Sequence, residues 1–459
     1  MYFMYKFRLL IITLTVFAVL CYSETTAQVN SGLLSRYLQL AETNYPFLKS
    51  KQLEVKAAEQ NVAAVKRTLV PSLDASYQVN YGTYNNITGM AYPQFLIPIS
   101  GPPSSANNMS GVFGSATSLL LNWQPITFGQ RNAQMDFAKQ GIQTSTADAA
   151  NELFQHKVRV INAYLDWLTA IELQKVYEEN LGRTETTLRS IYSLVNSGIR
   201  PGVDTAIFKA EVSKARVDVL NSKKEKEQAR IYLTQLLATD DITQPSDSIY
   251  FTKFPFVSAS NDTIFHPLVK LYQSNIALGE ARKKVLSKTT MPTLGIWGTT
   301  YARGSGIAYN GVVKSTDGLG FQRFNYGIGL QLSVPILQSV KIKPQLQQQD
   351  FLIQANEERL SEVQLQLKKQ NERADTALAN TFEVAKETPL LLQSAQFSFA
   401  AMQSRYQSGL TNISEFLQAQ YTLVKAETDN KLSYMAVWKA FLFKAAVSGN
   451  LNTFLNQVN

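Results

Sequence analysis

Pro71-Ser72-Leu73-Asp74-Ala75-Ser76-Tyr77-Gln78-Val79-Asn80-Tyr81-Gly82 is the stretch on which the fold turns. Leu73, Ala75, Tyr77, Val79 and Tyr81 fall on one side of it, and Asp74, Ser76, Gln78, Asn80 and Gly82 on the other. A period of two residues is that of a β-strand with one apolar and one wet face. The alternation returns far downstream, where Tyr326, Ile328, Leu330, Leu332 and Val334 oppose Gly327, Gly329, Gln331 and Ser333. Thr117, Leu119, Leu121 and Trp123 oppose Ala116, Ser118, Asn122 and Gln124, with Leu120 breaking the pattern. A fourth stretch, 294–303, alternates poorly, because Trp297 and Tyr301 fall opposite Leu294 and Ile296. It reads as a strand only from its place in a repeat.

That repeat has an offset of about 210 to 220 residues. Val70-Pro71-Ser72-Leu73 returns as Met291-Pro292-Thr293-Leu294, and Trp123-Gln124-Pro125-Ile126 as Ser333-Val334-Pro335-Ile336. Tyr192-Ser193-Leu194-Val195-Asn196-Ser197-Gly198 returns, shortened, as Tyr406-Gln407-Ser408-Gly409. Helical patterns over Leu34 to Arg67 and His266 to Lys288 stop ahead of Pro71 and Pro292, where helices are expected to end. Proline is absent between Pro125 and Pro201. There Phe154, Val158, Ile161, Leu165 and Leu168 form one seam, with Val160, Tyr164, Trp167 and Ile171 beside it. Leu346, Ile353, Leu360, Leu367 and Ala374 recur every seven residues in the second half. Phe208, Val212, Ala215 and Val219, then Phe416, Ala419, Leu423 and Ala426, follow suit. Such spacing is coiled-coil packing, and two adjacent seams mean neighbours on both sides of a helix, as in a tube wall.

The expected organisation is a first repeat over 28–238, with strands 73–84 and 115–125 and long helices 128–197 and 203–238. A linker at 239–265 leads to a second repeat, 266–459, with strands 294–303 and 324–335 and helices 340–406 and 413–448. Residues 1–27 read as a secretory signal: Lys6 and Arg8, an apolar run Leu9 to Leu20, and the small exit residues Thr25 and Ala27. Cys21, the one cysteine, invites a lipoprotein reading, but Leu20 before it is bulky for such a site.

Composition excludes other classes. One cysteine and two histidines, His156 and His266, leave no disulfide scaffold, cysteine zinc site or histidine-rich metal site. The net charge of +9 comes from scattered Lys and Arg, which argues against a nucleic-acid footprint. No GxSxG, Gly-rich phosphate loop or metal-ligand spacing points to an enzyme or a cofactor. His156, between Lys157 and Arg159 on a coiled-coil helix, is expected on a solvated face.

Four strands with one apolar face cannot close a barrel, and open edges are impossible in lipid. Closure must come from other copies of the chain, and three copies give about twelve strands, within the range of outer-membrane barrels. From about residue 31 to 450 the chain resembles the TolC-type outer-membrane efflux proteins. The resemblance lies in the junctions at Pro71, Pro292, Pro125 and Pro335 and in two glycine turns. These are Ser197-Gly198-Ile199-Arg200-Pro201-Gly202-Val203-Asp204 and Ser408-Gly409-Leu410-Thr411-Asn412-Ile413-Ser414-Glu415.

The resemblance implies an α+β membrane protein built from an internally duplicated helix–strand–strand–helix unit. It implies a homotrimer whose twelve-stranded β-barrel in outer-membrane lipid continues into an α-helical coiled-coil barrel in the periplasm of a Gram-negative cell. The implied activity is passive: an exit duct for tripartite efflux or type I secretion, joined by a periplasmic adaptor to an inner-membrane pump of RND, ABC or MFS type. Gly198 and Gly409 would touch the adaptor, and Asp204 and Glu415 would ring the closed entrance, with Tyr406 in the tip network. Thr411 and Gln418 depart from the family's base and second acid, and Arg200 is the candidate to supply the base. The alternatives are a periplasmic coiled-coil adaptor and a single-chain porin. The four alternating segments disfavour the porin.

Overall fold

The computed structural model describes residues 32–83, 85, 106–256 and 266–457. The signal stretch, Cys21 and part of the expected linker lie outside them. The chain opens with helices α1 (Leu33–Asn44) and α2 (Pro46–Arg67), then strands β1 (Ser72–Gly82) and β2 (Val112–Ile126). Helices α3 (Gln130–Asn196) and α4 (Val203–Leu237) follow, then a 3-10 turn at Ser248–Phe251. The second half repeats the order with α5 (Pro267–Lys288), β3 (Thr293–Ser305), β4 (Arg323–Ser333), α6 (Gln338–Gln407) and α7 (Ile413–Val447), ending in α8 (Asn452–Leu455). The duplication is metrical: α3 and α6 have 67 and 70 residues, and α4 and α7 have 35 each. One helical expectation needs correction. Residues 34–67 are two helices, because Pro46 holds the preceding Tyr45 extended at ψ 120° and interrupts the ladder.

The chain forms two compact units. The unit of residues 54–145 and 272–358 holds the sheet. Its four strands run in the order β1-β2-β3-β4, every pair antiparallel. Register collects Leu73, Tyr77 and Val79 with Leu119, Leu121, Leu294, Ile296, Ile328, Leu330 and Leu332 on one face. In the isolated chain this face is bare: Tyr326, Ile328 and Leu330 are 90%, 79% and 73% exposed. Trp297, Tyr301 and Leu120 take the wet face instead. Room for the indole comes from the next strand, where a Cβ on Gly329 would stand 2.6 Å from the Trp297 ring. The junction into α3 is clamped by Trp123 Nε1 donating to the Leu69 carbonyl at 2.8 Å and Arg131 Nη2 donating to the Gln124 carbonyl at 2.6 Å.

The second unit, 32–53, 146–271 and 359–457 of the described residues, has two apolar clusters. The larger gathers Tyr37, Tyr164, Tyr250, Trp438 and Phe454. Segment 239–256 is tied to it: the Tyr37 hydroxyl donates to the Thr243 carbonyl, the Tyr164 hydroxyl to Asp247, and Trp438 Nε1 to the Lys253 carbonyl at 3.1 Å. His156 departs from expectation. It is fully buried, stacked on Tyr45 with centroids 4.0 Å apart, its Nε2 3.0 Å from the Leu236 carbonyl. A helix with packing seams on several sides leaves its charged residues only a narrow outer stripe, and His156 is not on it. His266 is also buried, edge-on to Phe154 at 5.3 Å.

Desolvation holds both imidazoles below their ordinary pKa, with Arg159 adding to the effect at His156. Between the lowered folded value and about 6.5 the unfolded chain binds protons that the folded chain refuses, so stability is complete above about pH 6.5 and falls as pH drops below it. The heat-dissociation temperature in detergent is expected to fall from pH 7 to pH 5, and to fall less in His156→Phe, which keeps the stack on Tyr45. Equal slopes in the two proteins would remove His156 from the effect.

Candidate functional site

The site lies where α3 turns into α4 and α6 into α7. Each first helix ends in a Schellman-type turn. Gly198 N–H donates to the Val195 carbonyl and Ile199 N–H to the Leu194 carbonyl, both at 2.9 Å; Gly409 and Leu410 repeat the pattern onto Tyr406 and Arg405 at 3.1 and 2.8 Å. Gly198 and Gly409 have φ of +72° and +79°, the left-handed region where a side chain is strained. Nothing lies within 4 Å of where their Cβ atoms would be. Both glycines are demanded by the turn, and both leave open space above it.

Arg200 crosses from the first turn to the second. Its Nε donates to the Tyr406 carbonyl at 3.1 Å and its Nη2 to the Thr411 carbonyl at 2.8 Å, while the guanidinium lies 4.1 Å from the Tyr406 ring centroid. A cation suits the end of α6, where the helix dipole is negative. Asp204, in the first turn of α4, is 5% exposed and accepts the Tyr406 hydroxyl proton at 2.6 Å. Burial, then the Asp204 carboxylate, pushes the Tyr406 phenol above its ordinary pKa, so it stays a donor. Phe416 stacks on Tyr406 at 5.2 Å, with Phe208 and Phe399 on Phe416 at 5.7 Å.

Arg200, Tyr406 and Asp204 thus form one network binding the two hairpins. Glu415 touches it only through Thr411. It is exposed and caps its own helix, accepting from Asn412 Nδ2 at 3.1 Å and from the Thr411 hydroxyl, while Asn412 Oδ1 accepts the Glu415 N–H at 2.9 Å. Sequence reading placed Phe208 and Phe416 on core seams without seeing that they brace Tyr406. Their signal was an aromatic opening the first apolar seam after each turn. Among the described residues no group of His, Cys, Asp and Glu could hold a metal, and no helix is long and apolar enough to cross a membrane.

A membrane face on a short open sheet, joined to paired long helices that turn at glycines, defines a protomer of a trimeric membrane channel. The chain belongs to the outer membrane efflux protein family, whose pattern matches residues 37–239 and 286–432. Three solved structures share the fold. The CmeC outer membrane channel of Campylobacter jejuni is 14% identical over 91% of this chain and 85% of that one, with a TM-score of 0.71. The MtrE outer membrane channel of Neisseria gonorrhoeae, in its open state, is 16% identical over 91% and 89%, at 0.69. The outer membrane protein VceC of Vibrio cholerae is 12% identical over 91% and 96%, at 0.69. Comparison with curated protein sequences finds no significant match. As a member of this family the protein is an outer-membrane exit duct, and the family works as trimers with a periplasmic adaptor and an inner-membrane pump. The sheet has no place in the alternative of a coiled-coil adaptor.

Proposed function

We propose that the duct serves tripartite efflux or type I secretion, fed by a pump of the RND, ABC or MFS type, and that its periplasmic entrance is latched by Arg200, Tyr406 and Asp204. The observation that carries the latch is the hydrogen bond from Tyr406 to buried Asp204, which joins residues 202 apart in sequence and fastens one hairpin to the other. Opening the entrance separates these hairpins and breaks that bond. Gly198 and Gly409, with open space above them, are the contacts for the adaptor's hairpin tip. Glu415, exposed at the same end, supplies three carboxylates around the axis of a trimer, a cation-attracting ring. Asp204 joins that ring only once its phenol partner leaves.

Planar-bilayer recordings separate these roles. Tyr406→Phe with Asp204→Asn is expected to raise conductance several-fold, because it breaks the hydrogen bond that carries the latch and leaves the aromatic stack. Glu415→Gln is expected to weaken block by a trivalent cation added from the turn side, with conductance little changed. Wild-type conductance in the double variant would refute the latch, and undiminished block would refute the Glu415 ring.

A further inference from the structure

The two strand–loop–strand segments, 72–126 and 293–333, contain five charged side chains in all: Asp74, Arg303, Lys314, Asp317 and Arg323. Two of the five face each other. Arg303 on β3 and Arg323 on β4 are register partners in the antiparallel ladder. Partners in such a ladder carry their Cβ atoms about 4.5–5.5 Å apart on the same face, where like charges destabilise the pairing. The face is the wet one, shared with Tyr301, Ser118 and Gln78 through the register of all four strands.

Both arginines are exposed, and neither forms an ion pair among the described residues. The residues of the β1–β2 loop cannot neutralise them, since no acidic or basic residue occurs between Asp74 and Arg131. Asp74 itself lies two strands away, opposite Leu120, which is opposite Thr299. Asp317 sits in the 3-10 turn of the β3–β4 loop, off the strand ladder. Even with Asp74 counted, the wet strand positions keep a surplus of one positive charge per protomer. The pair stands at the loop end of the sheet, because Arg323 opens β4 and Arg303 is two residues from the end of β3.

We propose that Arg303 and Arg323 form an anion-binding station on the lumen wall near the loop end of the barrel. It takes carboxylate- or phosphate-bearing solutes and biases the duct toward anions. This rests on the reading of the chain as one third of an outer-membrane barrel with its wet face inward. Two guanidinium forks side by side suit an oxyanion, which each can bind through paired N–H donors, and an oxyanion between them removes their repulsion. Threefold symmetry makes a ring of six such groups, and rings of Arg or Lys are how pores select anions.

The test uses the purified trimer in planar bilayers under a KCl gradient, with inorganic phosphate then added on the loop side. Relative to wild type, Arg303→Gln/Arg323→Gln is expected to lower the anion-to-cation permeability ratio by about threefold or more. It is also expected to abolish the phosphate-induced fall in chloride current, while Arg303→Lys/Arg323→Lys retains most of the selectivity. Because a like-charge pair is being removed, the Gln variant is expected to resist heat dissociation as well as wild type or better. An unchanged ratio in a conducting Gln variant overturns the station and leaves the duct intact, as does collapse of the trimer, which would make the arginines structural. A trimer that does not conduct even with Tyr406→Phe/Asp204→Asn would instead count against the duct, and the station with it.

Discussion

A lysine at Ile328 is expected to prevent recovery of the assembled trimer from the outer membrane, whereas a lysine at Gln331, three residues along the same strand, is not. This is the largest effect expected of any single substitution on the sheet. Ile328 is at the middle of the 11-residue β4, 79% exposed in the isolated chain, opposite Gly298 and between Tyr326 and Leu330 on the apolar face. A basic side chain at the bilayer midplane costs about 2–4 kcal/mol in a membrane barrel, and here the trimer carries it three times over. Gln331 lies opposite Gly295 on the wet face, where a charged head stays in water. Detergent extraction of outer membranes, followed by gel electrophoresis with and without heating, gives the yield of each trimer. Equal yields would mean that the faces have been exchanged, and the lumen placement of Arg303 and Arg323 would fall with them.

Why two strands were readable and a third was not is a matter of where their irregularities are compensated. Residues 73–81 and 326–334 alternate cleanly because each apolar side chain meets lipid and each polar one meets water. On β3, Trp297 and Tyr301 stand on the wet face, and what makes the indole tolerable is the bare backbone of Gly327 and Gly329 on β4. No window of sequence around Trp297 contains those glycines; they become its neighbours only through the register. Leu120 is the same kind of exception, opposite Thr299. The break at Tyr45, by contrast, was present in the sequence as Pro46, and was passed over because apolar periodicity continues across it.

The turn site divides in the same way. Gly198, Gly409 and Glu415 are local signals, each explained within its own turn. The bond between Tyr406 and Asp204 spans 202 residues, and only the chain's duplication gave reason to set the two turns side by side. Glu415 was equally visible, but Asn412-Ile413-Ser414-Glu415 is also a helix cap, and in the structure the carboxylate is engaged in that cap. At His156 the charged neighbours Lys157 and Arg159 point to a solvated face, while the tight stack on Tyr45 comes from the break between two helices more than a hundred residues upstream.

Trp438→Ala is expected to remove most of the folded protein, although Trp438 is remote in sequence from both turns and both hairpins of the sheet. The indole is 1% exposed, edge-on to Tyr250 at 5.0 Å and to Phe454 at 5.9 Å, and its Nε1 donates to the Lys253 carbonyl at 3.1 Å. Truncating a buried Trp to Ala costs about 3–5 kcal/mol, a large fraction of the 5–15 kcal/mol by which a domain is held folded. Besides the cavity, the change frees segment 239–256 of one of its anchors to the core, leaving Tyr37, Tyr164 and Tyr250 to hold it. Trp438→Phe keeps an aromatic ring against Tyr250 and Phe454 and gives up the hydrogen bond, a loss of about 0.5–1.5 kcal/mol plus the smaller ring's lost contact. Two measurements distinguish packing from tethering. If packing dominates, heat dissociation of the Phe variant stays near wild type while the Ala variant dissociates far lower. If the tether dominates, both variants become sensitive to limited proteolysis within 239–256 under conditions where wild type is resistant. An Ala variant that matches wild type in both would mean that this cluster does not hold the segment, and that the aromatic contacts around Tyr250 are incidental to the stability of the protomer.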